Sequence, residues 1–365
     1  MARPHPERSR AWWPASLLLV AAGATALGLA GAIGRQLSMD ELMSANFSAH
    51  GPWAALLTAL RFDVHPPVYY LQLAAWMAVS ASDGWLMANS AVWHAVSVVL
   101  LGCAAAAQYG RRVGLAAALL LAVAPASVQY AYSVRMYTWV SACLVAAWWA
   151  LDRWFEKGAR RRHAVLAILT QAAVANSHTA GPLLLSGLLA YGLWTALATA
   201  RREVILRWML LECLAIALTL PAIVIGATRG VDHTVAPGPS EVVSTWTYLV
   251  GAGALPSAVA WTLGAVILAL LVMAGWRDRG TARVQWTLVA GPMVLALATS
   301  YLGKPGWLPR VFVPLLPFIC LGMARGLMLV GPPRRSAGLG VGGGAAGGGL
   351  SFRAPPGEPG GEANN

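Results

Sequence analysis

Apolar residues run along this chain in blocks of about 20, and short clusters of charge separate the blocks. The blocks fall at roughly 12–33, 85–108, 113–131, 136–152, 164–178, 180–199, 207–227, 256–275, 284–302 and 309–331. A helix needs about 20 apolar residues to cross a hydrocarbon core of about 30 Å. Backbone N–H and C=O groups find no water there, so helix is expected in each block. The pattern predicts an all-α, polytopic membrane protein of about ten transmembrane helices. The first block follows a basic stretch (Arg3, Arg8, Arg10), as in a signal peptide. It runs about 22 residues from Trp12 to Ile33, long enough to span, and is read as an uncleaved first helix.

Two stretches between the first and second blocks read differently. Residues 51–62 place Trp53, Leu56, Leu57 and Leu60 on one helical stripe, with Pro52 where a helix can start. That is the pattern of a short helix lying in the interface. Residues 66–82 (PPVYYLQLAAWMAVSAS) are apolar but short, and suit either a span or a flat helix.

Charge separates these choices. If 66–82 does not span and the N-terminus is cytoplasmic, 20 of the 26 Lys and Arg residues lie inside. The six outside are Arg35, Arg61, Arg135, Arg229, Lys304 and Arg310. If 66–82 spans, everything after it flips, leaving seven of the 26 inside. The positive-inside rule favours the first topology, with both termini cytoplasmic and residues 34–84 forming one external loop that carries two interfacial helices. Residues 1–335 then make a transmembrane domain. Residues 336–365, rich in Gly and Pro, lack the apolar side chains to build a core and are expected to be a disordered cytoplasmic tail.

Composition agrees: 58% of residues are hydrophobic and 11% charged, against about 25% charged in soluble domains. The net charge of +12 therefore belongs to membrane loops and not to a nucleic-acid surface. Cys103, Cys143, Cys213 and Cys320 all lie inside apolar blocks and read as packing residues, not a disulfide set. Usage rich in Ala, Arg and Trp fits a GC-rich bacterial genome, hence a plasma membrane.

With this topology the polar chemistry gathers outside the cytoplasm. Asp40 and Glu41 follow the first span, and Asp63 and His65 precede Pro66 and Pro67. Arg135 and Tyr137 lie between the third and fourth spans beside Tyr130 and Tyr132. His178 ends the fifth span, Asp232 and His233 sit in a later loop, and Lys304 and Arg310 precede the last span. Ionisable groups near the membrane are costly and are functional candidates by default. His94 reads as packing, and Glu212 as an interfacial ion pair with Arg207.

These residue types suit transfer from a lipid-phosphate-linked donor. An anionic phosphate calls for Arg, Lys or His, and Arg grips it with two hydrogen bonds. The leaving phosphate needs charge stabilisation, and the acceptor hydroxyl needs one carboxylate as base. Asp40, Arg135, Arg310 and Tyr137 supply that set, with Glu41 as a second carboxylate beside Asp40. Asp63-x-His65 is a metal-ligand pair by type, so a divalent metal is compatible, although no third ligand is evident. A transporter places its charges mid-bilayer on broken helices, and those are scarce here.

DVHPPVYYLQL (63–73), after an Asp-Glu pair past the first span, resembles the first external loop of GT-C-type glycosyltransferases. The similar branch is that of protein O-mannosyltransferases and aminoarabinose transferases, related to glycosyltransferase family 39. YSVRMYTWV (132–140) is similar to the family's Arg-x-Tyr segment. NSHT (176–179) and PRVFVPLLPFICLGMARGL (309–327) look like its later His and Arg-x-x-x-Pro segments. The resemblance implies an inverting transfer of a sugar, such as mannose or another hexose, from a polyprenyl phosphate to a protein, lipid or glycan acceptor. It implies Asp40 as base or site carboxylate, Asp63 and His65 shaping the donor and acceptor site, and Arg135 and Arg310 holding the lipid phosphate. Ser133 stands where many relatives carry a carboxylate, and Val311 where many carry Tyr. The alternative is a non-enzymatic lipid-linked sugar transporter or a degenerate, scaffold-like relative.

Overall fold

The computed structural model describes residues 8–229, 236–251, 255–303 and 306–330. Lys304, Asp232, His233 and the 336–365 tail lie outside the described residues. The chain is helical, with no strand among the described residues. In order the helices are α1 (Arg8–Ala32), α2 (Met39–Ser48), α3 (Gly51–Phe62), α4 (Val68–Met77), α5 (Asp83–Tyr109), α6 (Arg111–Val123), α7 (Pro125–Ala131) and α8 (Tyr137–Glu156). There follow α9 (Arg161–Ala175), α10 (Gly181–Ala198), α11 (Arg202–Thr228), α12 (Pro239–Gly251), α13 (Ser257–Arg277), α14 (Arg279–Val284), α15 (Gly291–Leu302) and α16 (Leu316–Val330). A π-helical turn, Gln285–Ala290, joins α14 to α15, and a 3₁₀ turn, Pro309–Leu315, leads into α16.

Six of these segments are long and apolar enough to cross a membrane: Trp12–Ala32, Asp83–Tyr109, Gly181–Ala198, Arg202–Gly226, Ser257–Arg277 and Pro309–Val330. The protein is a multi-pass membrane protein. α6 and α7 make a seventh span if taken as one helix bent by 63°. The bend has a local cause: Pro125 lacks an N–H and forces Ala124 to an extended ψ of 120°. α8, α9 and the α14–α15 run occupy the remaining predicted blocks but do not meet that length and apolarity.

The predicted 51–62 helix is α3, with Pro52 in its first turn. α4 has only 10 residues, about 15 Å of helix at 1.5 Å per residue, half of the about 30 Å that a span needs. Two helices depart from the hydropathy reading. α2 is a third helix in the 34–84 loop, which was expected to carry two, and α12 precedes α13. α2 starts on Ser38-x-x-Glu41, a capping box.

The bundle packs tightly through small residues. Gly102 and Gly114 bring α5 and α6 together, and a Cβ on Gly114 would press on the Gly102 carbonyl at 2.5 Å. Trp148 of α8 packs edge-on against Phe318 of α16, ring centres 5.6 Å apart, and both are buried. α11 and α13 instead expose many large apolar side chains (Leu210, Val224, Leu268 and Val272 among them), as faces bathed in lipid do. Cys213 is on that exposed side of α11, whereas Cys143 and Cys320 are buried. Glu212 does not pair with Arg207 as expected: Arg207 pairs with Glu203 one turn earlier, and buried Glu212 accepts from Trp208 Nε1 at 3.1 Å.

Candidate active site

At one end of the bundle the junctions between helices meet, and Glu41 is the first tie. Ser38 and Glu41 come together because a capping box places the third helical residue over the cap. The buried Glu41 carboxylate accepts from Ser38 N at 2.8 Å and Ser38 Oγ at 2.7 Å. It also accepts from Arg35 Nη1 and Nη2 at 2.9 and 2.6 Å, and from Val134 N at 2.8 Å, in the turn between α7 and α8. Arg35 in turn reaches Tyr132 O at 3.0 Å and lies 5.5 Å over the Tyr132 ring. Gly31 allows this, since a Cβ there would collide with that ring. Burial alone would raise the Glu41 pKa; the hydrogen bonds from Arg35, Ser38 and Val134 outweigh it and hold it below the usual value.

Successive helical residues point about 100° apart, so Asp40 faces the other way, with its side chain 51% exposed. Its Oδ2 lies 3.5 Å from Arg310 Nη1, at the start of the 3₁₀ turn. Arg135 approaches the same residue from the α7–α8 turn: Nη1 donates to Asp40 O at 3.1 Å and to Ser44 Oγ at 3.2 Å. Both guanidiniums thus converge on Asp40. Arg135 pairs with no carboxylate among the described residues.

The second face comes from the α3–α4 turn and the α9–α10 turn. Val68 N donates to Asn176 O at 2.8 Å, and Thr179 Oγ1 to Val64 O at 2.7 Å, which lock the two turns together. His65 Nε2 is 3.3 Å from Arg135 Nη2, and its ring packs 4.7 Å from that of His178. His178 accepts from Ala180 N at 2.9 Å and lies 5.5 Å from the Tyr137 ring. Tyr137 continues the aromatic wall to Tyr130 at 4.4 Å, and the Tyr130 hydroxyl meets that of Tyr248 in α12 at 2.8 Å. The Asp63 carboxylate accepts from the Tyr70 hydroxyl and from Val64 N. Arg229, at the end of α11, caps α3 by donating to the carbonyls of Ala59, Leu60 and Asp63.

Of the residues singled out in the sequence, Asp40, Arg310, Arg135, His65, His178 and Tyr137 therefore form one continuous chain of contacts. Glu41 adjoins it through Val134, the neighbour of Arg135, and Asp63 instead engages Tyr70 and Val64. Lys304 is outside the described residues. Arg35, Ser44, Thr179 and Arg229 were not singled out. Arg35 and Arg229 were counted only as external cations, and Thr179 only as part of NSHT. Among the described residues no group of three or more His, Cys, Asp and Glu is placed to hold a metal.

Burial, followed by the charges of Arg135 and Arg310, pulls His65 down to about 3. In an unfolded chain His titrates near about 6.5. Between those values the unfolded state binds a proton that the folded state refuses. Stability is therefore full above about pH 6.5 and falls as pH falls. The melting temperature in detergent is expected to drop between about pH 7 and 4.5, and His65→Asn to lessen that drop. An equal drop in the variant would assign the effect to other groups, His178 first.

The arrangement of the helices is an ArnT-like membrane-protein fold. Crystal structures of ArnT from Cupriavidus metallidurans carry it. The apo structure matches with a TM-score of 0.61 at 16% identity, covering 87% of this chain and 60% of that one. The structure bound to undecaprenyl phosphate matches with a TM-score of 0.63 at 16% identity, covering 87% and 61%. The chain thus spans about three-fifths of the length of the ArnT chains it matches. No family model matches the sequence, and no curated protein does.

Proposed function

We propose that this chain is a membrane glycosyltransferase that moves a sugar from a polyprenyl-phosphate donor to an acceptor hydroxyl on the non-cytoplasmic face. The observation that carries this is the convergence of two guanidiniums on Asp40, Arg310 on its exposed carboxylate and Arg135 on its main-chain oxygen, with Arg135 paired to no carboxylate among the described residues. One ArnT structure of this fold holds undecaprenyl phosphate, and a phosphate of that kind suits Arg135 and Arg310. In the reaction Asp40 takes the proton of the acceptor hydroxyl as its oxygen attacks the anomeric carbon. The bond from that carbon to the phosphate oxygen breaks, and the phosphate leaves with the electron pair. One displacement inverts the anomeric centre. Arg135 and Arg310 stabilise the charge on the leaving phosphate, where such stabilisation is worth most. Tyr130 gives the sugar a stacking face, backed by the buried rings of Tyr137 and His178. Asp63 and His65 shape the site, and Glu41, with its oxygens already engaged, positions the loop that carries Asp40.

The reading includes ten crossings with both termini cytoplasmic, on the charge bias described above. His50 is exposed between α2 and α3. A cysteine placed there (His50→Cys) is expected to react with an impermeant maleimide on intact cells, above the background of the native protein. Reaction only after lysis would invert the topology.

The function is tested with purified protein in liposomes and radiolabelled polyprenyl-phosphate-linked sugars. Release of free polyprenyl phosphate, lost in Arg135→Ala, is the expected result. Tight lipid binding with no release from any donor would replace this reading with a transporter or a degenerate, lipid-binding relative.

A further inference from the structure

The two shorter polar contacts of the His65 ring place its proton on Nδ1. A guanidinium is always protonated and only donates, so the Arg135 Nη2 contact at 3.3 Å needs a lone pair on His65 Nε2. A neutral imidazole with a bare Nε2 carries its proton on Nδ1. That atom is 3.0 Å from Thr179 Oγ1. The single hydroxyl hydrogen of Thr179 is committed to Val64 O at 2.7 Å, which leaves an oxygen lone pair to accept from Nδ1. Thr179 N–H also points at Nδ1 as a donor at 3.4 Å, the longest of these contacts. It would serve the opposite tautomer, but that tautomer would turn an N–H toward the Arg135 guanidinium. His178, stacked beside His65, has the reverse arrangement: its Nδ1 accepts from Ala180 N, so its proton is on Nε2.

We propose that His65 is a positioning residue that holds Arg135 through Nε2, and that Thr179 sets this by fixing the His65 proton on Nδ1. The consequence is chemical. Arg135 is held by a carbonyl (Asp40 O), a hydroxyl (Ser44) and a neutral imidazole. None of these cancels its charge, as a carboxylate would. The guanidinium is oriented while its full charge stays available to an incoming anion. This consequence rests on the phosphate-binding reading above; the proton assignment does not.

The test is solid-state nitrogen NMR of histidine-labelled full-length protein in liposomes, with His65 assigned by its loss in His65→Gln and, independently, in His65→Asn. Wild type is expected to show neutral His65 protonated at Nδ1. Thr179→Val is expected to move the proton to Nε2, and Thr179→Ser to restore the wild-type signal. In the same liposomes Thr179→Val should need about tenfold more undecaprenyl phosphate for half-saturation, the cost of about one hydrogen bond, with Thr179→Ser unchanged. A wild-type His65 protonated at Nε2, or a signal that Thr179→Val leaves in place, overturns the proposal. Wild-type protein that binds no undecaprenyl phosphate, yet gives the expected spectra, removes the phosphate reading and leaves the proton assignment standing.

Discussion

Asp40→Asn is expected to slow release of polyprenyl phosphate by about 10²- to 10⁴-fold, the range that a general base contributes, with little change in melting temperature. Two features of the site support so selective an effect. The Asp40 side chain is about half exposed, and its ion pair with Arg310 is long at 3.5 Å. Such a pair adds little to stability, so its removal leaves the fold intact. The Asp40 main-chain oxygen, which holds Arg135 and accepts from Ser44, is unaffected by the substitution. Asn keeps the shape of the side chain and removes its capacity to take a proton. Lipid binding should persist, because Arg135 and Arg310 remain. Unchanged release by Asp40→Asn would end the assignment of Asp40 as base and move attention to Asp63.

Glu41→Ala is expected to act in the opposite way, on the fold first. Removing one member of a buried ion pair typically costs about 3–5 kcal/mol. Here the loss also strands the N–H groups of Ser38 and Val134 that Glu41 satisfies. The melting temperature in detergent should fall, and hydrogen exchange should quicken across residues 35–48 and 132–136. Arg135 sits next to Val134, so turnover should fall along with stability. Glu41→Gln keeps part of the hydrogen bonding and should lie between. A Glu41→Ala protein that keeps its melting temperature but loses turnover would restore Glu41 to a direct chemical role, as its place beside Asp40 first suggested.

How much of this was legible beforehand differs from element to element. The helix at 51–62 was readable because its apolar stripe and its proline are both local signals. The short α4 was readable from charge, since a span there would have reversed the sign of every later loop. α2 was missed although Ser38-x-x-Glu41 announces a helix start, because hydropathy gives that segment no block. α12 was missed for a similar reason. Glu212 was misassigned because Arg207 is close in sequence. On the helix Arg207 lies one turn from Glu203, and an exposed pair between those two costs less than drawing Arg207 in to a buried acid.

The sequence by itself determined the class of structure: apolar blocks of bilayer length, few charges and a strong bias in where they fall leave a polytopic helical bundle as the solution. Those are properties of composition and period, and each is set within about 20 residues. Only the tertiary structure decided what each polar residue does. Asp40 and Glu41 are neighbours in the chain, yet helix geometry sends one to solvent and buries the other against residue 134. Arg135 finds Asp40 across 95 positions and His65 across 70. Arg310 reaches Asp40 across 270. No local pattern encodes such meetings. They arise because successive helices return their ends to the same side of the bundle, where side chains with no role in folding any one helix are brought within hydrogen-bonding distance.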